Sequence, residues 1–277
     1  MIPVEHNKDE RLQSGYWQDL TTTDFRLVDP EQTVALLPVS AVEQHGPHLP
    51  LATDALINEG ILRAALDRLP PRPVLLVLPA MTIGTSQEHA NFGGTLSVAA
   101  ATLADVWSDV GRSVARSGVR KLVIFNTHGG QKSLVDLVAL RLRAELGMLV
   151  VRATYFGFGS PPGLFDAQEL VHDIHGGEVE TSLLLHLRPD LVRQNELKDF
   201  TGLPQQLSKR NTLLGIEKPI GIGWLSEDLH PAGVSGNAAR ADAKRGAEHL
   251  SFLADRLAAL IVEVAATPLS ILKTLGK

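Results

Sequence analysis

The segment from Thr33 to Asp54 has the sequence TVALLPVSAVEQHGPHLPLATD. Its first seven residues, Thr33 to Val39, are almost entirely apolar and predict a buried β-strand. Side chains capable of metal binding or proton transfer follow closely: Glu43, His45, His48, Thr53 and Asp54. Open α/β folds place their active sites at the carboxyl ends of such strands, and imidazole with carboxylate suits zinc, manganese or iron. We therefore predict a hydrolytic metal site just after this strand.

Apolar runs alternate with helical patterns along the rest of the chain. Further strands are predicted at 73–79, 121–125 and 148–154, and helices at 54–68, 97–116, 131–146, 176–187 and 237–265. Near-continuous apolar strands separated by helices are typical of a mostly parallel sheet covered on both faces, so we predict an α/β fold. A Gly/Pro-rich loop at 155–165 suits a lid or a subunit contact, and 197–230 lacks a regular period.

The composition excludes several classes of function. The 277 residues carry a net charge of −5 with their basic residues spread along the chain, which argues against a nucleic-acid surface. The absence of cysteine excludes disulfides, thiolate metal sites and a cysteine nucleophile. The N-terminus lacks the apolar core of a signal peptide, and no apolar run approaches the roughly 20 residues of a membrane helix. We expect a cytoplasmic protein that contacts neither membrane nor nucleic acid.

A second polar cluster, Asn126 to Gly130, follows the strand predicted at 121–125. His128 would face the same edge of the sheet as the first cluster, because both follow strands of one parallel sheet. The backbone N–H groups of Gly129 and Gly130 could face an oxyanion. A phosphate-binding turn is the alternative interpretation, but no Walker or dinucleotide-binding glycine pattern supports it.

A third cluster, HDIHGGEVETS from His172 to Ser182, precedes and enters a predicted helix. Glu178 and Glu180 lie about 200° apart on a helix with 3.6 residues per turn, so both cannot face one point. One of them could be a metal ligand while the other favours the positive helix N-terminus. The polar loop at 86–95 contains His89 and could line the same crevice, whereas His6 and His249 are predicted to lie at the surface.

Together these motifs resemble the creatininase (creatinine amidohydrolase) family. The segment EQHGPHLP from Glu43 to Pro50, followed by Thr53 and Asp54, is similar to the family signature. The segment NTHGG from Asn126 to Gly130 resembles its second metal motif, and HGGEVETS from His175 to Ser182 resembles a third. The resemblance runs from about residue 36 to residue 236.

This resemblance implies a three-layer α/β/α fold, a single domain over residues 1–277, and a two-metal centre that hydrolyses C–N amide bonds, commonly in a homohexamer. By motif, Glu43 and His128 would hold one metal ion, His45 would hold the other, and Asp54 would bridge the two. Creatinine-hydrolysing members complete the second site with a glutamate two residues after the motif histidine, and Gly130 stands at that position here. Glu178 would replace that glutamate, with Glu180 as the alternative.

The predicted function is that of an amidohydrolase acting on non-peptide C–N bonds through two divalent ions of zinc, manganese or iron. His175 would be the general acid and base, and His89, Gly129 and Gly130 would bind substrate. The expected partner is a small-molecule amide, and the chain would form a homo-oligomer. Alternatives are an inactive metal-binding scaffold and a peptidase that trims a cofactor precursor peptide.

Overall fold

The computed structural model describes residues 12–217 and 220–273, so the prediction for His6 lies outside the described residues. Its main sheet has five strands in the order β1-β3-β2-β4-β5, and every neighbouring pair is parallel. These strands are β1 (Gly15–Tyr16), β2 (Thr33–Val39), β3 (Val74–Val77), β4 (Lys121–Asn126) and β5 (Leu149–Thr154). The predicted parallel α/β sheet is thereby confirmed.

Helices cover both faces of this sheet, which gives the predicted three-layer α/β/α arrangement. On one face α1, α5 and α8 pack together, and on the other face α2 packs on α3. The helices are α1 (Thr53–Leu66), α2 (Ala100–Arg116), α3 (Lys132–Leu146), α4 (Ala167–His172), α5 (Glu178–Leu187), α6 (Leu203–Arg210), α7 (Ser226–Leu229) and α8 (Ala243–Ala266). Four short strands form two small pairs: β6 (Asp199–Phe200) with β9 (Gly236–Asn237), and β7 (Leu214–Gly215) with β8 (Ile220–Gly221).

The core lies on both sides of β2, because successive side chains of a strand point to opposite faces. Val34 and Leu36 belong to the apolar cluster beneath α1 and α8, whereas Ala35 and Leu37 belong to the cluster beneath α2 and α3. All seven residues of β2 are buried, as the apolar run predicts for a central parallel strand. Across residues 12–217 and 220–273, none of the helices combines the length and the apolar composition that crossing a membrane requires.

Several details differ from the sequence predictions. The segment 197–230 contains α6 and α7. The last long helix begins at Ala243 and not at 237, because the side chain of Asp242 caps it by accepting a hydrogen bond from the backbone N–H of Arg245. The surface position predicted for His249 is wrong, since this residue is only 3% exposed. That residues 1–277 form one domain stays a prediction.

Candidate metal centre

The polar clusters that follow β2 and β4 meet at the carboxyl edge of the sheet, as the strand-end argument predicts. Glu43 and His45 follow β2, and His128 follows β4. Asp54 lies in the first turn of α1, and Glu180 lies in the first turn of α5. All five side chains are buried.

Asp54 lies between two imidazoles and presents one carboxylate oxygen to each. Its Oδ1 lies 3.2 Å from His45 Nε2, and its Oδ2 lies 3.3 Å from His128 Nδ1. Glu43 Oε1 adds to the second of these contacts at 3.1 Å from His128 Nδ1, and Glu180 Oε2 lies 3.8 Å from His45 Nε2. The carboxylate of Asp54 therefore has the placement of a group that bridges two adjacent cation sites.

Four overlapping sets among the described residues could hold a metal ion, and two of these four share Asp54. One set is Glu43, Asp54 and His128, and the other is His45, Asp54 and Glu180. Within each set the candidate ligand atoms lie within 4.8 Å of one another. Imidazole nitrogen and carboxylate oxygen are ligands that zinc, manganese and iron accept.

The donor atoms of this centre fit bound cations. Among the described residues, no hydrogen-bond partner reaches the buried atoms Glu43 Oε2, His45 Nε2 or Asp54 Oδ2. Buried polar atoms are nearly always paired, and a lone pair left without a donor is costly. Divalent cations bound beside Asp54 would satisfy these atoms.

The unused nitrogen of each imidazole is already fixed by a backbone carbonyl. His45 Nδ1 lies 3.1 Å from the carbonyl oxygen of Glu43, and His128 Nε2 lies 2.9 Å from that of Thr85. A carbonyl can only accept, so these nitrogens carry the protons and the other nitrogen of each neutral ring presents a lone pair to the cluster. Metal-binding histidines are commonly oriented in this way.

The charges of the cluster raise the pKa of His45 and lower the pKa of Asp54. Burial alone would lower the pKa of His45, but the charges of Asp54, Glu180 and Glu43 raise this pKa to about 9. Burial raises the pKa of Asp54, but the neighbouring His45 and His128 lower it by more, so the net shift is downward. Without a cation, the extra proton on the His45 ring therefore offsets the negative charge of these carboxylates, and a bound metal ion would displace that proton.

His175 differs from the two imidazoles beside Asp54. Its Nε2 donates to the carbonyl oxygen of Gln44 at 2.7 Å, and its Nδ1 lies 3.9 Å from Glu43 Oε1. Burial and the neighbouring His45 lower its pKa well below the ordinary value. A neutral ring with a free lone pair at Nδ1 is suited to accept a proton.

Glu178 is the predicted ligand that the structure places elsewhere. Its fully buried carboxylate contacts the guanidinium of Arg245 and lies 3.6 Å from Arg240 Nε. The alternative, Glu180, lies at the cluster, as expected from the angle of about 200° between the two positions on a helix. The expectation for Glu178 is therefore corrected in favour of Glu180.

Two groups that the sequence analysis did not single out hold the carboxylate of Glu180. The hydroxyl of Tyr155 donates to Glu180 Oε1 at 3.1 Å, and the backbone N–H of Gly176 donates to Oε2 at 2.7 Å. Tyr155 directly follows β5, so the strand-end argument that identified His128 after β4 would also have identified Tyr155 if it had been extended to β5. His48, in contrast, turns away from the cluster and contacts the carbonyl of Gly176 and the hydroxyl of Thr181.

Gly130 stands at the position where the family resemblance would lead one to expect a glutamate. The side chain of Glu88 occupies the space that a side chain at position 130 would fill. A Cβ at position 130 would lie only 1.6 Å from Glu88 Oε1. That carboxylate oxygen lies 3.5 Å from His128 Nε2 and 4.0 Å from His89 Nε2. The polar loop after β3 thus contributes a carboxylate that the sequence analysis assigned no role.

The cluster forms one end of a cavity of about 500 Å³. The predicted substrate-binding residues His89, Gly129 and Gly130 all line it. Away from the cluster its walls are largely apolar and include Leu170, Val171, Ile174, Val179, Ile216 and Trp224. Such a cavity can enclose an apolar substrate group beside a polar reaction centre.

Comparison with known proteins gives one consistent result. A family model described as "Creatininase: Creatinine amidohydrolase" matches residues 18–261. A mycofactocin precursor peptide peptidase from Mycobacterium ulcerans is 34% identical over 174 residues, which are 61% of this chain and 64% of that protein. A creatinine amidohydrolase from Pseudomonas putida is 34% identical over 183 residues, 60% of this chain and 68% of that protein. A solved structure described as "Creatininase Mn" superposes with a TM-score of 0.70 at 26% identity, covering 91% of this chain and 98% of that one.

Proposed function

Since residues 18–261 match one family model, this chain belongs to the creatininase family, and we propose that it is a metal-dependent hydrolase of C–N amide bonds. The relatives include both a creatinine amidohydrolase and a peptide peptidase, so the family likeness supports amide hydrolysis without fixing the substrate. The proposal therefore concerns the reaction first and the substrate class second.

The position of Asp54 is the observation that carries this proposal. Its two carboxylate oxygens lie 3.2 and 3.3 Å from imidazole nitrogens of two different residues, His45 and His128. We propose that Glu43, Asp54 and His128 hold one divalent ion and that His45, Asp54 and Glu180 hold the other. When bound, two such ions would acidify a water molecule and polarise the amide carbonyl. Zinc, manganese and iron all suit these ligands.

We propose that His175 carries out the proton transfers of this reaction. Its Nε2–H is held by the carbonyl of Gln44, so its Nδ1 is the atom that can take a proton from water and pass it to the leaving nitrogen. The neutral state that burial imposes leaves Nδ1 able to accept at neutral pH. Gly129 and Gly130 line the same cavity, and we propose that their backbone N–H groups face the substrate.

Peptide cleavage is the second candidate, and the apolar cavity favours it. The walls beyond the reaction centre could hold the apolar side chain of a peptide, whereas a small polar ring such as creatinine would leave much of 500 Å³ unfilled. The relative from Mycobacterium ulcerans is named as a peptide peptidase. A panel that contains cyclic amides, formamides and N-blocked peptides with apolar residues would separate the two substrate classes.

The first test is metal content by elemental analysis, on protein purified without chelator or metal-affinity resin, together with hydrolysis of that panel. We expect two equivalents per chain in the parent and a loss of metal in Asp54→Asn. His175→Gln should keep its metal but lose at least about 100-fold in kcat, the lower range for a general acid–base group. His186→Gln, on the exposed side of α5, is the matched control.

Two results would contradict the proposal. No bound metal, even after addition of zinc or manganese, would exclude the metal-dependent reaction. Two bound ions with no hydrolysis of any amide would favour the inactive metal-binding scaffold. Assembly into a homo-oligomer and a cytoplasmic location remain proposals, and the first can be checked by light scattering of the purified protein.

A further inference from the structure

One imidazole of the cavity, that of His89, is fixed in the opposite sense to its neighbours. The rings of His45, His128 and His175 each donate to a backbone carbonyl and turn a lone pair to the cluster. Within the described part of the chain, no such carbonyl faces His89 Nδ1, which instead lies 2.8 Å from the side-chain amide nitrogen of Gln44. The protonation of His89 therefore depends on how that amide is oriented.

Two backbone groups fix the orientation of the Gln44 amide. The N–H of Gly46 donates to Gln44 Oε1 at 3.0 Å, and Gln44 Nε2 donates to the carbonyl oxygen of Gly233 at 2.6 Å. A backbone N–H can only donate and a carbonyl oxygen can only accept. Flipping this amide would place its nitrogen against the N–H donor and its oxygen against the carbonyl acceptor, so its orientation is fixed. The second hydrogen of Nε2 then points to His89.

Gly233 makes this close approach of the chain possible. Its φ is +74°, and a Cβ there would lie 2.7 Å from Gln44 Oε1 and 2.7 Å from Phe92. Only glycine adopts this backbone conformation without strain and without a side chain in that space. The loop between α7 and β9 thus supplies the acceptor that holds an amide 189 positions earlier in the chain.

The tautomer of His89 follows from these contacts. Its Nδ1 faces an N–H donor and must accept, so the proton of the neutral ring lies on Nε2. The doubly protonated ring would place two donors against each other at 2.8 Å, which excludes it from this arrangement. His89 Nε2 lies 3.4 Å from Glu43 Oε1 at the wall of the cavity, so its N–H is presented to the reaction centre.

We propose that Gln44 is a positioning residue that holds His89 as the Nε2–H tautomer, so that His89 donates a hydrogen bond to the substrate carbonyl oxygen. The inference rests on the proposed amide hydrolysis. Attack on an amide carbonyl places negative charge on that oxygen, and a buried, pre-oriented N–H is the kind of group that stabilises it. With metal bound, the imidazoles of His45 and His128 would turn their lone pairs to the ions and could not supply this donor.

The tautomer can be measured without turnover. In zinc-loaded protein labelled with ¹⁵N-histidine, two-bond ¹H–¹⁵N correlations distinguish protonation at Nδ1 from protonation at Nε2, and the loss of signals in His89→Gln assigns the ring. We expect Nε2–H in the parent. Gln44→Glu replaces the donor by an acceptor and should move the proton of His89 to Nδ1. An Nδ1–H ring in the parent, or an unchanged ring in folded Gln44→Glu, would overturn the inference.

Kinetics of two variants of equal length test the donor role. His89→Gln keeps an N–H near the position of Nε2, whereas His89→Met has no donor there. We expect His89→Met to lose about 10²–10³-fold in kcat, the usual effect of removing one such donor, with KM and metal content near those of the parent. The kcat of His89→Gln should be at least about tenfold higher than that of His89→Met.

Equal kcat values in the Gln and Met variants would overturn the donor role, as would parental kcat in His89→Met. These results differ from a failure of the proposed function, in which the parent itself would hydrolyse no amide. The NMR result on the parent would still decide the tautomer in that case, so the two failures can be distinguished.

Discussion

Exchanging Glu180 and Glu178 for glutamine, one at a time, separates the proposed ligand Glu180 from its neighbour two positions earlier. Glu180→Gln keeps the shape of a side chain that lies 3.8 Å from His45 Nε2 but removes its negative charge. Loss of a group merely hydrogen-bonded to a metal ligand typically costs 10–100-fold in affinity, so loss of a ligand should cost at least about 100-fold, or roughly 2.7 kcal/mol. We expect Glu180→Gln to bind the second metal ion correspondingly more weakly.

The same substitution at Glu178 should change stability and leave metal binding unchanged. Glu178 is fully buried, but its partners Arg245 and Arg240 are 27% and 49% exposed. Breaking a fully buried ion pair costs about 3–5 kcal/mol, and breaking an exposed pair costs about 0–1 kcal/mol. We therefore expect Glu178→Gln to lower the free energy of unfolding by about 1–3 kcal/mol, which corresponds to a fall in Tm of roughly 2–10 °C for a chain of this size.

Both effects are measurable on the same preparations. Metal titration followed by elemental analysis gives the affinity for the second ion, and thermal unfolding in the presence of chelator gives the stability without the contribution of bound metal. Glu248→Gln, an exposed position on α8, serves as the control. Parental affinity for the second ion in Glu180→Gln would refute the argument, as would loss of that ion in Glu178→Gln.

Three further predictions follow from individual contacts. Tyr155→Phe removes the hydroxyl that donates to Glu180 at 3.1 Å and should weaken metal binding about 10–100-fold in titrations, with a Tm close to that of the parent. Lys121→Met removes a buried ammonium that donates to three backbone carbonyls at 2.6–2.7 Å, and should cost about 3–5 kcal/mol in denaturant unfolding without loss of bound metal. Burial lowers the pKa of His249 to about 4, below the value of about 6.5 in the unfolded chain, so between these values the unfolded chain binds more protons and stability falls as pH falls, by up to about 1.4 kcal/mol per pH unit. His249→Gln should flatten that part of a stability–pH curve, and an unchanged slope would contradict the assignment.

The sheet and much of the site could be predicted because both depend on short-range patterns. The apolar run at Thr33–Val39 could be satisfied only by burial, and the parallel sheet that it joins brings its carboxyl end close to that of β4. Glu43, His45 and His128 follow these ends directly, so their meeting is a consequence of the strand order. Asp54 joins them because α1 begins at Thr53, at the same edge.

The remaining features depend on contacts between distant segments. His249 lies on the helix predicted at 237–265, yet it is buried, and its Nε2 contacts the carbonyl of Gly159, 90 positions earlier. The helix Leu203–Arg210 is predominantly polar and has Pro204 in its first turn, so its apolar pattern is too weak to predict it. The orientation of the Gln44 side-chain amide could not be predicted from the sequence, because it depends on a hydrogen bond to the distant Gly233.

The orientation of α5 explains why the sequence alone could not choose between Glu178 and Glu180. The two positions lie about 200° apart, so one rotation of the helix turns Glu180 to the metal centre and Glu178 to Arg245. Turning the helix by half a turn to bring Glu178 to the centre would leave its arginine partners without an acid, and would also move Leu183 and Leu184 out of the core that α5 forms with α1 and α8. Burial of those two leucines is worth about 2–3 kcal/mol each, which exceeds the contribution of a single ion pair with a partly exposed arginine. The apolar face of α5 therefore sets which glutamate faces the candidate metal centre, and Arg245→Ala should leave Glu178 away from that centre.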